Sequence, residues 1–98
     1  MAKKPIAAGK IAMGTVLMYS TAVCPYCDRA ERLLTRKGVQ KIEKVRVDLH
    51  PELRIEMMEK TGRRTVPQIY INGVYVGGYD DLASLDRAGG LDALLAKS

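Results

Sequence analysis

Cys24 and Cys27 are the only two cysteines in the chain, and they lie three positions apart in Cys24-Pro25-Tyr26-Cys27. Thiols at this spacing suit either disulfide exchange or half of a metal site. A disulfide this short closes almost no loop and adds little stability, so a purely structural staple is a poor explanation. Structural zinc needs about two further Cys or His ligands. The chain offers only His50, which precedes Pro51 at a strand-to-helix junction and reads as a solvated or capping imidazole. No metal is expected, and the pair is read as redox-active.

Their chemistry depends on the element that holds them. Thr15 to Ser20 is a short apolar run that fits a strand buried on both faces. Thr21 to Val23 form a loop. Pro25 then opens a helix, at the one helical position where a missing N–H costs nothing. Cys27, Ala30, Leu33 and Leu34 recur at helical spacing through Lys37, with Gly38 as the C-terminal cap and Arg29, Arg32 and Arg36 on exposed faces. Cys24 therefore falls at the helix start, where unpaired N–H groups and the helix dipole favour an anion. Thiols in such settings ionise with pKa values of roughly 3.5–7.5 rather than about 8.5. Cys27 lies one turn further in. The expected division is that Cys24 attacks and Cys27 resolves the mixed disulfide.

Further along, Val45, Val47 and Leu49 alternate with Lys44, Arg46 and Asp48, which predicts a half-buried strand. Pro51 opens a helix with Leu53, Met57 and Met58 inward, ended by Gly62. Pro67 to Ile71 is a strand, Asn72-Gly73 a hairpin turn, and Val74 to Val76 the return strand. Asp80 or Asp81 caps a third helix with Leu82, Leu85 and Ala88 on its inner face. Gly89-Gly90 separates it from a short last helix carrying Leu91, Leu94 and Leu95. The order β-α-β-α-β-β-α, plus that last helix, predicts an α/β fold: a four-stranded mixed sheet flanked by helices.

The 98 residues suit one domain. Residues 1–14 show no sustained period and read as an N-terminal tail, leaving 15–98 as the domain. With no Trp or Phe, Leu, Ile, Val, Met and five Tyr must fill the core. The net charge is +5, of which the tail supplies +3. That mild excess suits small anions, and without a basic stripe interleaved with aromatics no nucleic-acid partner is expected. No apolar stretch approaches the roughly 18 residues of a membrane span. Lys10 interrupts the early apolar run before a signal-peptide core forms, so a cytoplasmic monomer is expected.

With these elements placed, the sequence resembles the dithiol glutaredoxins. The resemblance rests on Cys24-Pro25-Tyr26-Cys27, on Thr65-Val66-Pro67-Gln68-Ile69-Tyr70-Ile71-Asn72-Gly73, and on Gly77-Gly78-Tyr79-Asp80-Asp81-Leu82. Gly62-Arg63 and Gly89-Gly90-Leu91 extend it, so it covers about Thr15 to Leu95. The Pro-Tyr pair favours glutaredoxin over thioredoxin, which usually carries Gly-Pro there. The resemblance implies a thioredoxin fold and an oxidoreductase that uses glutathione as its reducing co-substrate. Its partners would be disulfide-containing or glutathionylated proteins. It also implies a cis Val66–Pro67 bond near Cys24, with the Val66 backbone pairing with the cysteinyl part of glutathione.

By the same resemblance, Gly78, the Tyr79 N–H and Asp80 would take the γ-glutamyl end. Helix-start amides suit its carboxylate, and Asp80, which also reads as a cap, suits its ammonium. Tyr26 would flank the sulfur. Thr65 and Pro67 would line the groove, and Arg63 or Arg64 would meet the glycyl carboxylate. The sequence departs from the family at Thr21, where many glutaredoxins carry Lys, and at Tyr79, where some bacterial relatives carry Cys. A second reading is a dimer holding a [2Fe–2S] cluster between Cys24 thiolates and glutathione. Pro25 counts against it, because cluster-binding glutaredoxins usually have a small residue there. A third is a donor served by thioredoxin reductase, against which the Gly78-Tyr79-Asp80 segment argues.

Overall fold

Four strands and four helices follow the expected order in the computed structural model, which describes residues 15–96. They are β1 (Val16–Ser20), α1 (Pro25–Arg36), β2 (Ile42–Arg46), α2 (Pro51–Thr61), β3 (Gln68–Ile71), β4 (Val74–Gly77), α3 (Tyr79–Arg87) and α4 (Gly90–Ala96). The tail expected at 1–14 lies outside the described residues.

The sheet runs β2-β1-β3-β4. β1 pairs in parallel with β2, from Val16 opposite Ile42 to Ser20 opposite Arg46. It pairs antiparallel with β3, which turns back into β4. At the tip, Asn72 (φ 52°) and Gly73 (φ 81°) both have positive φ, as the tight hairpin anticipated from Asn-Gly requires.

β1 is central, and its alternation divides the core. Val16 and Met18 pack with Ile69, Ile71, α1, Leu82 of α3 and Leu91 and Leu95 of α4. Tyr19 packs on the other face with Val47 and Met57, against Leu17, Leu53 and Tyr70. Among the described residues helices thus cover both faces, with α2 alone on the second. Burying a side chain such as Leu34 or Met57, both 0% exposed, contributes about 1.5–3 kcal/mol each.

α1 ends where the sequence predicted. The Gly38 N–H donates to Thr35 O and the Val39 N–H to Leu34 O, both at 3.0 Å, which closes the last turn and buries Val39.

Two expectations are corrected. The second strand spans Ile42–Arg46 rather than running to Leu49. Its partner β1 ends at Ser20, so after Val47 donates its N–H to Ser20 O no ladder remains to extend. Val47 is still buried, but Leu49 lies in the following turn and is 60% exposed. In α3, Leu82 is buried and Leu85 half-buried, whereas Ala88 is exposed because it caps the helix after Arg87.

Candidate active site

The loop from β1 delivers Cys24 as the N-cap of α1, with extended backbone (φ −151°, ψ 92°) and Pro25 in the first turn. The Cys24 sulfur accepts the Cys27 N–H at 3.1 Å, and the Cys24 carbonyl accepts the Asp28 N–H at 3.0 Å. Sulfur here does what Ser or Asp oxygen does at other helix starts: it satisfies a donor that has no partner within the helix. Cys24 and Cys27 are joined in a disulfide, with Cα atoms 5.2 Å apart, and both residues are buried. Val23 and Tyr26 stand exposed on either side.

The loop itself is tied down from β2. Arg46 holds Asp48 through two contacts of 2.7 Å, and Asp48 accepts the Ala22 N–H at 3.2 Å. The guanidinium, assisted by that N–H, holds the Asp48 carboxyl well below the usual carboxylate range.

Two further segments converge on the cysteines. The Val66–Pro67 bond is cis, Pro67 is buried, and Val66 packs against the cluster that contains Cys24 and Cys27. Thr65 is exposed, and its carbonyl accepts Gln68 Nε2 at 2.9 Å. Gln68 is itself buried, and its Oε1 accepts from the Tyr75 hydroxyl. Gly78 lies so close to Pro67 that a Cβ on it would sit 3.4 Å from the Pro67 carbonyl oxygen. Gly78 is also the N-cap of α3, which brings the Tyr79 ring within 6.1 Å of the Tyr26 ring. Cys24, Tyr26, Val66, Pro67, Gly78 and Tyr79 are therefore brought close together, with Cys24 and Pro67 buried and Tyr26 exposed among them.

Asp81, on the first turn of α3, organises the margin of this group. It accepts the Gly78 N–H at 2.9 Å and pairs with Arg63 at 2.7 Å. Arg63 and then the Gly78 N–H hold its carboxyl below the usual value. The Gly78 N–H is thus already occupied, so α3 presents the Tyr79 and Asp80 N–H groups, which have no partner within the helix. Asp80 is exposed beside them. Arg63, expected at the glycyl end of glutathione, lies between Asp81 and the Tyr75 ring, 6.0 Å away.

The sequence reading missed Asp48 and the second role of Asp81. Asp81 was legible as a cap, but its partner Arg63 is 18 residues away, and Asp48 is 26 residues from Ala22. Among the described residues no His, Cys, Asp and Glu side chains group as metal ligands, and no helix is long and apolar enough to cross a membrane.

A disulfide-forming cysteine pair at the head of α1, above a mixed sheet in the order β2-β1-β3-β4, defines a thioredoxin-fold thiol–disulfide oxidoreductase. Its relatives narrow the class. The sequence pattern of the glutaredoxin family matches residues 16–76, and the chain belongs to that family. It is 55% identical over 84 residues to a glutaredoxin of Pseudomonas aeruginosa, covering 86% of this chain and 99% of that one. It is 47% identical over 83 residues to glutaredoxin 3 of Escherichia coli, covering 85% and 99%. Its fold resembles that of the buckwheat glutaredoxin–glutathione complex with a TM-score of 0.79, at 26% identity, covering 86% of this chain and 78% of that one.

Proposed function

We propose that the chain reduces protein disulfides and glutathione mixed disulfides at the expense of glutathione, with Cys24 as nucleophile and Cys27 as resolving thiol. The observation that carries this reading is the bond from the Cys27 N–H to the Cys24 sulfur, which would stabilise a Cys24 thiolate at the helix start. That thiolate attacks a substrate disulfide. The Cys24–S bond forms, and the substrate thiolate leaves and takes up a proton. Glutathione thiolate then attacks the mixed disulfide and restores Cys24. In the dithiol route Cys27 attacks instead, and two glutathiones reduce the Cys24–Cys27 disulfide to close the cycle.

In this reading glutathione lies across the group of residues described above. The Val66 backbone pairs with its cysteinyl segment, with Pro67 beneath and Tyr26 beside the sulfur. Its γ-glutamyl carboxylate meets the α3 N-terminus at Gly78-Tyr79, and its ammonium meets Asp80. Its glycyl carboxylate meets the edge formed by Arg63, Arg64 and Thr65. The buckwheat glutaredoxin, on a similar fold, forms a complex with glutathione, which supports glutathione as the ligand class. A cycling thiol pair needs a reducing pool, which fits the cytoplasm. Iron–sulfur clusters take about four thiolate ligands, and the chain has two cysteines, joined to each other. The cluster reading therefore needs a second chain, and no observation favours it.

The test is turnover of a small mixed disulfide with glutathione and glutathione reductase, beside the same assay with thioredoxin and thioredoxin reductase components. Activity in the first alone is expected; activity only in the second would reject the glutathione site. An absorbance scan of freshly purified protein checks the alternative, since a cluster is brown.

A further inference from the structure

Beneath the active-site helix, Ser20 is the last residue of β1 and is 3% exposed. It follows Met18 by two positions, so it points to the α1 side of the sheet. Its hydroxyl is the only buried side-chain polar atom without a hydrogen-bond partner among the described residues. A buried hydroxyl left unpaired costs free energy, and native structures seldom tolerate it without bound water or a functional use.

Ser20 lines a cavity of about 150 Å³, and Cys27 lines the same cavity. Its other polar walls are Thr21, whose hydroxyl donates to the Val23 carbonyl, and four charged residues. Asp28 and Glu31 come from α1, and Lys44 and Arg46 from β2. Lys44 pairs with Glu31 at 2.8 Å, and Arg46 is committed to Asp48. The Glu31 and Lys44 side chains are both over 40% exposed, so the rim of the cavity reaches solvent. The space is roomy and polar enough for ordered water, which needs about two to four polar partners.

We propose that this cavity holds water anchored on Ser20 Oγ, and that this water is the route by which the Cys27 thiol loses and regains its proton. The inference rests on the reading of Cys27 as the resolving thiol. When Cys24 carries a mixed disulfide, the Cys27 proton passes to cavity water and on to bulk solvent. The Cys27 thiolate attacks the Cys24 sulfur, the Cys24–Cys27 bond forms, and the substrate thiolate leaves and is protonated. When glutathione reopens the disulfide at Cys24, Cys27 departs as a thiolate and takes a proton back from the same water. Cys24, served by the helix start, does not use this route. Ser20 acts through the water and is a positioning residue.

Reduced protein is mixed with glutathione disulfide over a range of pH and acid-quenched at successive times. Reduced, glutathionylated and internally oxidised species are then counted by mass. Ser20→Ala should slow conversion of the glutathionylated to the internally oxidised form by roughly three- to tenfold, the scale of one net hydrogen bond. Its pH midpoint should also move upward. Ser20→Thr should behave as the parent. Ser20→Val, which matches Thr in volume but lacks the hydroxyl, should behave as Ser20→Ala. The first step, glutathionylation of Cys24, should be unchanged in all three. Unaltered closure in Ser20→Ala and Ser20→Val would overturn the proposal. So would equal slowing of the first step, because Ser20 would then only support the fold. If the parent never closes, Cys27 is not the resolving thiol, and that failure is visible before Ser20 is altered.

Discussion

The sulfur of Cys24 and the backbone N–H of Cys27 are 3.1 Å apart, so the nucleophile proposed here is also the cap of the helix that carries the resolving thiol. Thiolate accepts such a bond better than thiol does, because the charged acceptor strengthens it. Cys27 sits within the helix and has no comparable donor set. Thiolate absorbance titrated with pH on Cys24→Ser and Cys27→Ser should therefore show Cys24 as the more acidic by more than about one pH unit. Equal values would remove the electrostatic basis of the division between the two thiols.

Gly77 supports the other end of the site. It has φ of +119°, which L side chains rarely adopt, and a Cβ there would fall on the Asp81 carboxylate. Gly77→Ala should cost about 1–3 kcal/mol in backbone strain. It should also dislodge Asp81 from Arg63 and the Gly78 N–H, raising KM for glutathione more than it lowers kcat. Gly73→Ala is the control: its φ is +81° with nothing within 4 Å of the added Cβ. It should lower the melting temperature while leaving KM alone. Similar KM effects from both variants would separate Asp81 from the glutathione site.

Asp48 gives a pH dependence with a definite sign. Arg46 depresses its folded-state pKa, so its contribution to stability is present above the unfolded value of about 3.9. That contribution is lost as pH falls through the folded value. The melting-temperature gap between the parent and Asp48→Asn should be widest at neutral pH, should begin to shrink at about pH 4 and should close only well below it, as the folded carboxyl takes up its proton. High salt should narrow it, because both side chains are about a third exposed. A gap that persists in strong acid would show that the effect does not come from the Asp48 charge.

Much of this was legible from local pattern. Pro25, Pro51, Gly38, Gly62 and Asn72-Gly73 act through their own backbone geometry, so they marked element ends correctly. Cys24 was legible as a helix-start residue for the same reason. Leu49 misled because alternation records side-chain polarity and not the length of a neighbouring strand, and it was β1 ending at Ser20 that stopped the ladder. Arg63–Asp81 and Asp48–Ala22 are set by tertiary approach, which no local period records. Ser20 was legible as the end of the buried strand, but its hydroxyl's lack of a partner is a tertiary property that no local pattern records.

Residues 1–14 carry none of the three motifs, and the first described backbone pairing begins at Thr15. The Thr15 N–H donates to Asn72 Oδ1, and the Asn72 N–H donates to the Thr15 carbonyl, both at 2.8 Å. Deleting residues 2–14 should leave turnover and melting temperature nearly unchanged. Extending the deletion through Val16, which puts Met1 in that residue's place, should lower the melting temperature by removing both Thr15 bonds. A large loss from the shorter deletion would show that the tail packs or binds.

The two thiols separate most clearly when two substrates are compared. Reducing a glutathionylated substrate needs one enzyme thiol: Cys24 takes the glutathione, the reduced substrate leaves, and free glutathione regenerates Cys24. Cys27→Ser should keep substantial activity there, and its turnover should rise wherever closure to the internal disulfide diverts the parent enzyme. An intramolecular protein disulfide differs, because the first attack leaves enzyme and substrate joined through Cys24. Cys27 is then the nearest nucleophile, with its Cα 5.2 Å from that of Cys24 and thus at high effective concentration. On this substrate Cys27→Ser should lose at least about tenfold more activity than on the first, since solution glutathione must replace a tethered thiol. Cys24→Ser should be inactive on both, because no other cysteine caps α1. The readout is the ratio of the two rates for each variant, measured on the same preparations. Equal losses on both substrates for Cys27→Ser would reject Cys27 as the resolving thiol, while full activity of Cys24→Ser on either would reject Cys24 as the nucleophile.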